Sequence, residues 1–323
     1  MLHITEVYEY PLFAGIFDFL YPKTVSRQFT LPSFAKINWT LRILGKREDG
    51  FHELCTVLQT VSLHDTIRFE PRKLLRLTCD DRSIPRNEKN IIIAAAQAMQ
   101  YVFSVKTGAS IHLEKRIPSP GGLGGGSSNA VVAMIGLARL WGIRPKFEEL
   151  YQIAYRLGSD VPFFLHGGTA TATARGETIE PMEDIIEQNL LIVTPDVAVP
   201  TREAFANIKA PNLTNTTSNH ILRVCRSEAG SLDPRQSTLI NDFEASIFRS
   251  YPEVKRVKEK LLELGTVNVA MSGSGASVFA IFDKIETRQT AEKALDIEST
   301  WRKFAVSTVS RAEYRELLHL QGA

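Results

Sequence analysis

Residues 118–129 read PSPGGLGGGSSN and carry five glycines among twelve residues. Because glycine has no Cβ, such a loop lets backbone N–H groups turn inwards and approach an anion closely. Val131, Ile135 and Ala138 then recur at helical spacing and predict a buried helix that starts at Ser127 or Ser128. The first turn of a helix offers free N–H groups and the positive end of the helix dipole. We therefore interpret the stretch as a phosphate-binding loop and not as a flexible linker.

The loop differs from three familiar phosphate-binding motifs. No Lys precedes Ser127, as the GxxxxGK[ST] motif would require. The glycines do not give GxGxxG with an acidic partner about 20 residues later. The HRD and DFG segments of a protein kinase do not follow it. The sequence therefore predicts a nucleotide-phosphate loop of another kind.

Length and charge exclude several other classes of protein. The chain has 323 residues, enough for about two domains, and a net charge of +2, which argues against nucleic-acid binding through a basic surface. No run of 18 apolar residues predicts a transmembrane helix. The three cysteines form no CxxC pair, so we expect no zinc ribbon, no disulfide framework and a reducing, cytoplasmic setting. The apolar segment 11–20 lacks the features of a signal peptide.

Strand and helix patterns alternate along the chain, which predicts an α/β or α+β protein with a boundary near residue 185. We expect Asn90 to cap a helix, Gly158 to end another in the left-handed conformation, and the Ser/Thr/Asn-rich stretch 212–219 to form an exposed loop. The predicted strands are 34–44, 66–69, 74–78, 110–113, 190–193, 267–270 and 278–282, and two further predicted helices are 148–157 and 252–264.

Four segments resemble, in order, the motifs of the GHMP kinase superfamily, which includes galactokinase, homoserine kinase and mevalonate kinase. GGLGGGSSNA at 121–130 resembles the second motif, GSDVPFFLHG at 158–167 the catalytic aspartate segment, and NVAMSGSGASVF at 268–279 the third glycine-rich motif. SFAKINWTLRILGKREDGFHEL at 33–54 resembles the opening motif of one branch, whose members phosphorylate 4-diphosphocytidyl-2-C-methyl-D-erythritol. The combination is far more specific than any single motif.

This resemblance implies an α+β, two-domain GHMP kinase fold. The N-terminal domain, 29–185, would carry the ATP phosphate loop and resemble ribosomal protein S5 domain 2. The C-terminal domain, 186–323, would be ferredoxin-like, and residues 1–28 would be an N-terminal extension of unknown role. We further expect a cytoplasmic monomer or weak homodimer that binds neither nucleic acid nor membrane. The resemblance implies that its active site lies between the domains.

The same resemblance implies ATP-dependent phosphorylation of the 2-hydroxyl of the cytidine diphosphate conjugate of methylerythritol, in non-mevalonate isoprenoid biosynthesis. ATP and Mg²⁺ would be the cofactors. Two alternatives stay open. The chain could be another GHMP kinase that acts on homoserine, mevalonate or a sugar, although DGFHEL at 49–54 favours a substrate with a cytosine. It could also be a catalytically idle nucleotide-binding protein of this fold, although Lys36, Asp160 and Ser128 are present.

Lys36 and Asp160 match the catalytic pair of the family. Taken alone, a lysine on an apolar strand is more often a snorkelling surface residue, and an aspartate after a glycine is more often a turn residue. With the resemblance, we expect Asp160 to orient the substrate hydroxyl or accept its proton. We expect Lys36 to stabilise the carboxylate and the developing alkoxide.

The binding residues are carried over from the matching motif positions. Phe51, where the family usually has Tyr, and Phe205 are expected to stack on the cytosine, and His52 to bond its edge, although without the motifs both phenylalanines would be interpreted as core. Pro120 stands where the family has a small residue, and Ser128 is a candidate ligand of ATP-bound Mg²⁺. The expected ATP-binding residues are Asn90, Lys115, Ile117, Pro118, Gly121, Gly122, Leu123, Gly124, Gly125, Gly126, Ser127 and Ser128. The expected substrate-binding residues are Asn38, Phe51, His52, Thr201, Phe205, Ser272 and Gly273.

Overall fold

The computed structural model describes residues 18–19, 28–208, 210 and 215–321. Its strands form one large sheet in each half of the chain and a short two-stranded sheet. In chain order the strands are β1 (Asp18–Phe19), β2 (Phe29–Lys46), β3 (His52–Arg72), β4 (Arg76–Cys79), β5 (Gly108–Glu114), β6 (Thr169–Ala174), β7 (Thr178–Pro181), β8 (Leu190–Pro195), β9 (Asn268–Met271), β10 (Val278–Ile281), β11 (Trp301–Val306) and β12 (Leu320–Gln321). The helices are α1 (Ile91–Val102), α2 (Gly125–Trp141), α3 (Phe147–Leu157), α4 (Phe163–His166), α5 (Thr201–Ala206), α6 (Asn215–Gly230), α7 (Glu244–Ser250), α8 (Pro252–Glu263), α9 (Ile285–Ala294) and α10 (Arg311–Leu317).

The first sheet is built around a long antiparallel hairpin of β2 and β3. The other strands continue it in the order β4-β5-β3-β6-β7, and only the β4–β5 pair is parallel. Pro71 stands between the predicted strands 66–69 and 74–78, but in the structure it lies inside β3 opposite Ala109. A proline is tolerated there because, in the described part of the chain, β2 pairs with β3 only as far as Phe69, so Pro71 lies at an edge of the sheet.

The β2–β3 pairing is irregular where it approaches the glycine loop. Its register shifts between Phe34 and Ala35 and again between Asn38 and Thr40. Such shifts bend a strand and change the direction of its side chains. Lys36 lies between the two, so the irregular stretch of β2 is the part that carries the predicted catalytic lysine.

Helices α1, α2 and α3 pack with the first sheet into the larger hydrophobic core. Ile92 of α1 and Val131 and Ile135 of α2 are almost completely buried there. Gly136 brings α2 so close to β3 that a Cβ at this position would overlap the ring of Phe69. This close packing holds α2, and therefore the glycine loop that precedes it, against the sheet.

The second half contains a four-stranded antiparallel sheet with the order β11-β8-β10-β9. Helices α5 to α8 lie between β8 and β9, a tight turn joins β9 to β10, and α9 precedes β11. This βαββαβ order is the ferredoxin-like arrangement. The predicted α+β fold is confirmed, and the division at residue 185 stays a prediction.

Of two predictions about helix ends, the one for Asn90 is confirmed and the one for Gly158 is partly wrong. Asn90 caps α1, since its side chain accepts a hydrogen bond from the Ile92 N–H. Gly158 does end α3, but its φ of 162° and ψ of 159° are extended, so the prediction of a left-handed residue is wrong. The chain leaves α3 in an extended conformation and turns only at the residues around Asp160.

Two further boundaries differ from the sequence-based expectation. Helix α2 begins at Gly125 and not at Ser127 or Ser128, because Gly124 takes the left-handed φ of 69° and serves as the N-cap. Residues 215–219 belong to α6, so the predicted exposed loop is wrong there, and 212–214 lie outside the described residues. Packing of α6 beside β2 and β3 outweighs the weak helix preference of Ser, Thr and Asn. Within the described ranges, no helix has the length and apolar character needed to cross a membrane.

Candidate active site

The glycine loop is held from two sides by the rest of the chain. The backbone N–H of Lys36 donates to the Leu123 carbonyl at 2.9 Å. The carbonyl of Gly122 accepts from Lys36 Nζ at 2.9 Å and from Ser272 Oγ at 3.0 Å. Gly122 has a left-handed φ of 73°, and a Cβ there would overlap the carbonyl oxygen of Ser272. The third glycine-rich motif thus supports the glycine loop through the Ser272 hydroxyl and through close backbone packing.

A cleft of about 470 Å³ opens in front of this loop. Because α2 starts at Gly125, its first N–H groups, which lack partners within the helix, lie at the cleft. Both halves of the chain contribute to the walls. The lining comprises 118–127 of the loop, Lys36, Asn38, Leu41, Leu54, Thr56 and Leu58 of the hairpin, Ile91 of α1, Ser159, Asp160, Arg175 and Gly176 of two turns, and Val199, Thr201, Phe205, Phe243 and Gly273–Gly275 of the second half.

Lys36 and Asp160 meet in this cleft. Lys36 Nζ lies 3.7 Å from Asp160 Oδ2, and the lysine side chain is 3% exposed while the aspartate side chain is 44% exposed. Burial lowers the pKa of Lys36, and the charge of Asp160 opposes part of that shift. A buried cation beside an accessible carboxylate can orient a hydroxyl group and stabilise negative charge that develops on it.

Asn38 connects the lysine to the second half of the chain. Its Oδ1 accepts from Lys36 Nζ at 2.7 Å and from the Gly273 N–H at 2.8 Å, while its Nδ2 donates to Thr56 Oγ1 at 2.8 Å. Asn38 is buried, so these contacts fix the position of the lysine ammonium group. Thr56 is a contributor that sequence patterns did not indicate, because its role follows only from the pairing of β2 with β3.

The residues expected to bind a cytosine either line the cleft or contact residues that line it. The His52 ring stacks on Phe205 with centroids 5.4 Å apart, and burial lowers the pKa of His52 with a further contribution from Lys46. Thr201 Oγ1 is 3.2 Å from Ser274 Oγ. Phe205 and Thr201 line the cleft, whereas Phe51 and His52 stand outside its lining.

Arg175 is a residue of this site that sequence reasoning missed. It lines the cleft, and its guanidinium lies 4.8 Å from the centroid of the Phe51 ring. Its Nε also pairs with Glu177 at 3.1 Å. Arg175 covers part of the Phe51 ring, and the Phe51 side chain remains 52% exposed, which leaves surface for another contact. The available sequence signal for Arg175 is the glycine that follows it, Gly176, which indicates a turn.

The residues expected near the adenosine are mostly engaged within the protein. Asn90 caps α1 and also donates to the Pro85 carbonyl. The Lys115 ammonium binds the Asp65 carboxylate and the Ile117 carbonyl, and burial lowers its pKa although Asp65 opposes this. Ile117 is fully buried. Asp65 therefore belongs to the support of the loop, and nothing in its sequence neighbourhood indicated that role.

The two serines of the loop have different surroundings. Ser127 lines the cleft, whereas the Ser128 hydroxyl is fully buried, 2.8 Å from Ser33 Oγ. The Ser33 hydroxyl also lies 2.6 Å from Asn129 Oδ1. Among the residues that the structure describes, no group of three or more His, Cys, Asp or Glu side chains could hold a metal ion.

Comparison with known proteins agrees with this geometry. The model of the GHMP kinase N-terminal domain matches residues 90–168, and that of the GHMP kinase C-terminal domain matches residues 227–302. Two relatives are both named 4-diphosphocytidyl-2-C-methyl-D-erythritol kinase. The one from Thermoanaerobacter pseudethanolicus is 34% identical over 83% of this chain and 92% of its own length. The one from Chlorobium limicola is 38% identical over 82% of this chain and 91% of its own length.

Solved structures give the same result for the fold. A crystal structure of 4-(cytidine 5'-diphospho)-2C-methyl-D-erythritol kinase superposes with a TM-score of 0.70 at 31% identity, covering 87% of this chain and 99% of that one. A homoserine kinase from Cytophaga hutchinsonii gives a TM-score of 0.62 at 18% identity, with 90% and 97% covered, and supports the fold alone. The chain therefore belongs to the GHMP kinase superfamily and, within it, to the 4-diphosphocytidyl-2-C-methyl-D-erythritol kinases.

Proposed function

We propose that this chain transfers the γ-phosphoryl group of ATP to the 2-hydroxyl of 4-diphosphocytidyl-2-C-methyl-D-erythritol, giving the 2-phosphate and ADP, in non-mevalonate isoprenoid precursor biosynthesis. One observation carries the proposal. Lys36 Nζ lies 3.7 Å from Asp160 Oδ2 and 2.9 Å from the Gly122 carbonyl, so a cation–carboxylate pair faces the glycine loop. Phosphoryl transfer depends mainly on such positioning and on charge stabilisation.

The proposed roles follow from the charges at the site. The half-exposed Asp160 carboxylate orients the acceptor hydroxyl and takes its proton as the new P–O bond forms. Lys36 stays close to both the carboxylate and the loop, so its charge stabilises the oxygen that loses the proton and the group being transferred. Asn38 acts as a positioning residue, because it holds the ammonium in this orientation.

For the nucleotide, we propose that the loop residues 121–127 and the first turn of α2 bind the phosphates of ATP. Left-handed glycines at Gly122 and Gly124 and the start of α2 at Gly125 support this assignment. Asn90, Lys115 and Ile117 support the same region from behind, through the cap of α1 and the contacts of Lys115 with Asp65.

We also propose that Mg²⁺ arrives bound to ATP. The Ser127 hydroxyl and the Asp160 carboxylate line the cleft and are the oxygen donors that Mg²⁺ prefers alongside phosphates and water. Ser128 does not fit the role expected for it, because its hydroxyl is buried against Ser33. When bound, Mg²⁺ would neutralise charge on the phosphates.

The cytosine is proposed to bind at the end of the cleft formed by α5 and the β2–β3 turn. His52 and Phe205 are already stacked, and the exposed Phe51 ring beside Arg175 offers a second flat surface. Thr201 adds a hydroxyl at the cleft wall. Phe51 stands where the family usually has Tyr, and it retains the aromatic ring, which is the part that stacking requires.

We further propose the division into an extension (1–28), an N-terminal domain (29–185) and a C-terminal domain (186–323). The observation that β2 to β7 fall in the first domain and β8 to β11 in the second supports it. A cytoplasmic monomer or weak homodimer is proposed as well, and the net charge of +2 favours small-molecule partners over nucleic acid. Light scattering after gel filtration tests the oligomeric state.

A coupled ADP-release assay tests the reaction. We expect activity with the cytidylyl methylerythritol substrate and none with homoserine, mevalonate or galactose, and activity with only one of these three would refute the proposal. Asp160→Asn and Lys36→Met should each lower kcat by about 10²–10⁴-fold. Asp283→Asn and Lys255→Met, which change exposed members of surface ion pairs, are the matched controls and should retain activity.

A further inference from the structure

A second cavity of about 290 Å³ lies between the β2–β3 hairpin, helix α6 and the segment after it. It shares no lining residue with the catalytic cleft. Arg42 of β2 and Glu228 of α6 form an ion pair at 3.1 Å on its wall. The same wall contains two cysteines, Cys55 of β3 and Cys225 of α6.

The two cysteines are brought into contact by the fold alone. They stand 170 residues apart in the sequence, yet with Leu44 they pack into a small buried cluster of their own. Both are free thiols and both are buried, but both line the cavity, so a small molecule that enters it reaches them. Cys79, the third cysteine, lies at the end of β4 with its Sγ beside Asp80.

The surroundings make the two sulfurs chemically unequal. The hydrogen bond from Cys55 lowers the pKa of Cys225 to about 7, and the positive charge of Arg42 acts in the same direction against burial. The same bond and burial raise the pKa of Cys55. Cys225 is therefore the sulfur that loses its proton first, and the thiolate is the nucleophilic form of cysteine.

We propose that Cys55 and Cys225 are a redox-active dithiol that a small peroxide oxidises to an intramolecular disulfide between β3 and α6. Three observations together carry this inference: two buried thiols in contact, a cavity that leads to them, and an arginine beside them. The sequence predicted no disulfide framework, because the spacing of the cysteines does not indicate a pair.

The chemistry balances with hydrogen peroxide as the oxidant. The Cys225 thiolate attacks one peroxide oxygen, the O–O bond breaks, and Cys225 sulfenic acid and hydroxide are formed. The Cys55 thiol then loses its proton and attacks the Cys225 sulfur, so that the S–S bond forms and the S–O bond breaks with release of water. Two thiols lose two electrons and two protons, and one peroxide is reduced to two waters.

The site lies next to the cleft along β3 but faces away from it. Leu54 and Thr56, the two neighbours of Cys55, line the catalytic cleft, while Cys55 lines the second cavity. Successive side chains of a strand point to opposite faces, which explains this separation. Substitution of Cys55 or Cys225 by Ser should therefore leave the activity of the reduced protein within about twofold.

The experiment treats the reduced full-length protein with hydrogen peroxide at pH 7.5 and then blocks the remaining thiols with N-ethylmaleimide in denaturant. We expect intact mass to show one alkylated thiol of three, and peptide mapping to place a disulfide between Cys55 and Cys225 and the alkyl group on Cys79. Dithiothreitol should restore three alkylated thiols. Non-reducing gel electrophoresis should show a monomeric chain, since the bond is intramolecular.

Three variants make the test specific. Cys79→Ser should still form the disulfide, whereas Cys55→Ser should stop at an oxidised Cys225 without a bridge. Cys225→Ser should react much more slowly, because it removes the thiolate. Retention of three free thiols under conditions that oxidise glutathione would overturn the proposal. So would a disulfide that involves Cys79, or one that links two chains.

Discussion

The buried ion pair of Asp65 and Lys115, next to the glycine loop, provides a direct test of what stabilises this fold. The Asp65 carboxylate is 0% exposed and accepts from Lys115 Nζ at 2.9 and 3.1 Å. It also accepts from the backbone N–H groups of Arg116 at 2.7 Å and Ile117 at 2.8 Å. These are the last residues before the loop begins at Pro118, so one carboxylate fixes the entry to the loop.

Asp65→Asn removes the negative charge but retains an oxygen that can accept from the two backbone N–H groups. The Lys115 ammonium, only 5% exposed, would keep the Ile117 carbonyl but lose its charged partner. Removing one member of a buried ion pair destabilises a protein by about 3–5 kcal/mol. We expect a value near the lower limit, about 3 kcal/mol, because the backbone hydrogen bonds can survive.

Urea unfolding followed by circular dichroism measures this loss, with the single and double variants forming a cycle. The double variant Asp65→Asn with Lys115→Met leaves no buried charge without a partner, so its free energy of unfolding should lie within about 1–2 kcal/mol of that of the original protein. The exposed Asp283→Asn is the matched control and should change stability by less than about 0.5 kcal/mol. A loss below about 1 kcal/mol in Asp65→Asn, or additive losses in the double variant, would refute the reasoning.

Three further results are expected. Gly122→Ala should lower kcat/KM for ATP at least about tenfold, because the added Cβ would overlap Ser272. Gly50→Ala is the control, because Gly50 has a similar positive φ but nothing within 4 Å of an added Cβ, so only the stability should fall, by about 1–2 kcal/mol. Equal kinetic effects of the two substitutions would contradict this prediction. Burial lowers the pKa of Lys36, so the rate should begin to fall at a pH below the ordinary lysine value of 10.5. Between the lowered pKa and 10.5 the free energy of unfolding should rise with pH, because the unfolded chain binds the proton more tightly. A pH–rate profile whose alkaline limb lies at or above 10.5 would contradict this prediction. Burial, with Arg311 and Arg315 nearby, lowers the pKa of His166 to about 4, so the unfolded chain takes up the proton first as the pH falls. The free energy of unfolding should therefore fall by up to about 3 kcal/mol from pH 6.5 to 4. His166→Gln should flatten the stability–pH curve, and an unchanged slope would show that this histidine is not the source of the pH dependence.

Local signals were sufficient for the parts of the fold that depend on local conformation. The helical period after the glycines predicted α2, and Asn90 predicted the cap of α1, since both follow from the few residues around them. The length of β3 could not be predicted, because it depends on pairing with β2, β5 and β6 rather than on its own sequence. The helical start of α6 escaped prediction for the same reason, since packing against the hairpin decides it.

The sequence by itself determined the chemical groups available to this protein: a glycine-rich loop before a helix, Lys36 in one motif and Asp160 in another. Only the tertiary structure decided which groups meet. The register of β3 with β5 carries Asp65 to the segment that holds Lys115, and the packing of α6 on the hairpin carries Cys225 to Cys55. Contacts of this kind join residues 50 and 170 positions apart, and sequence spacing leaves no trace of them because strand register and helix packing set the distances.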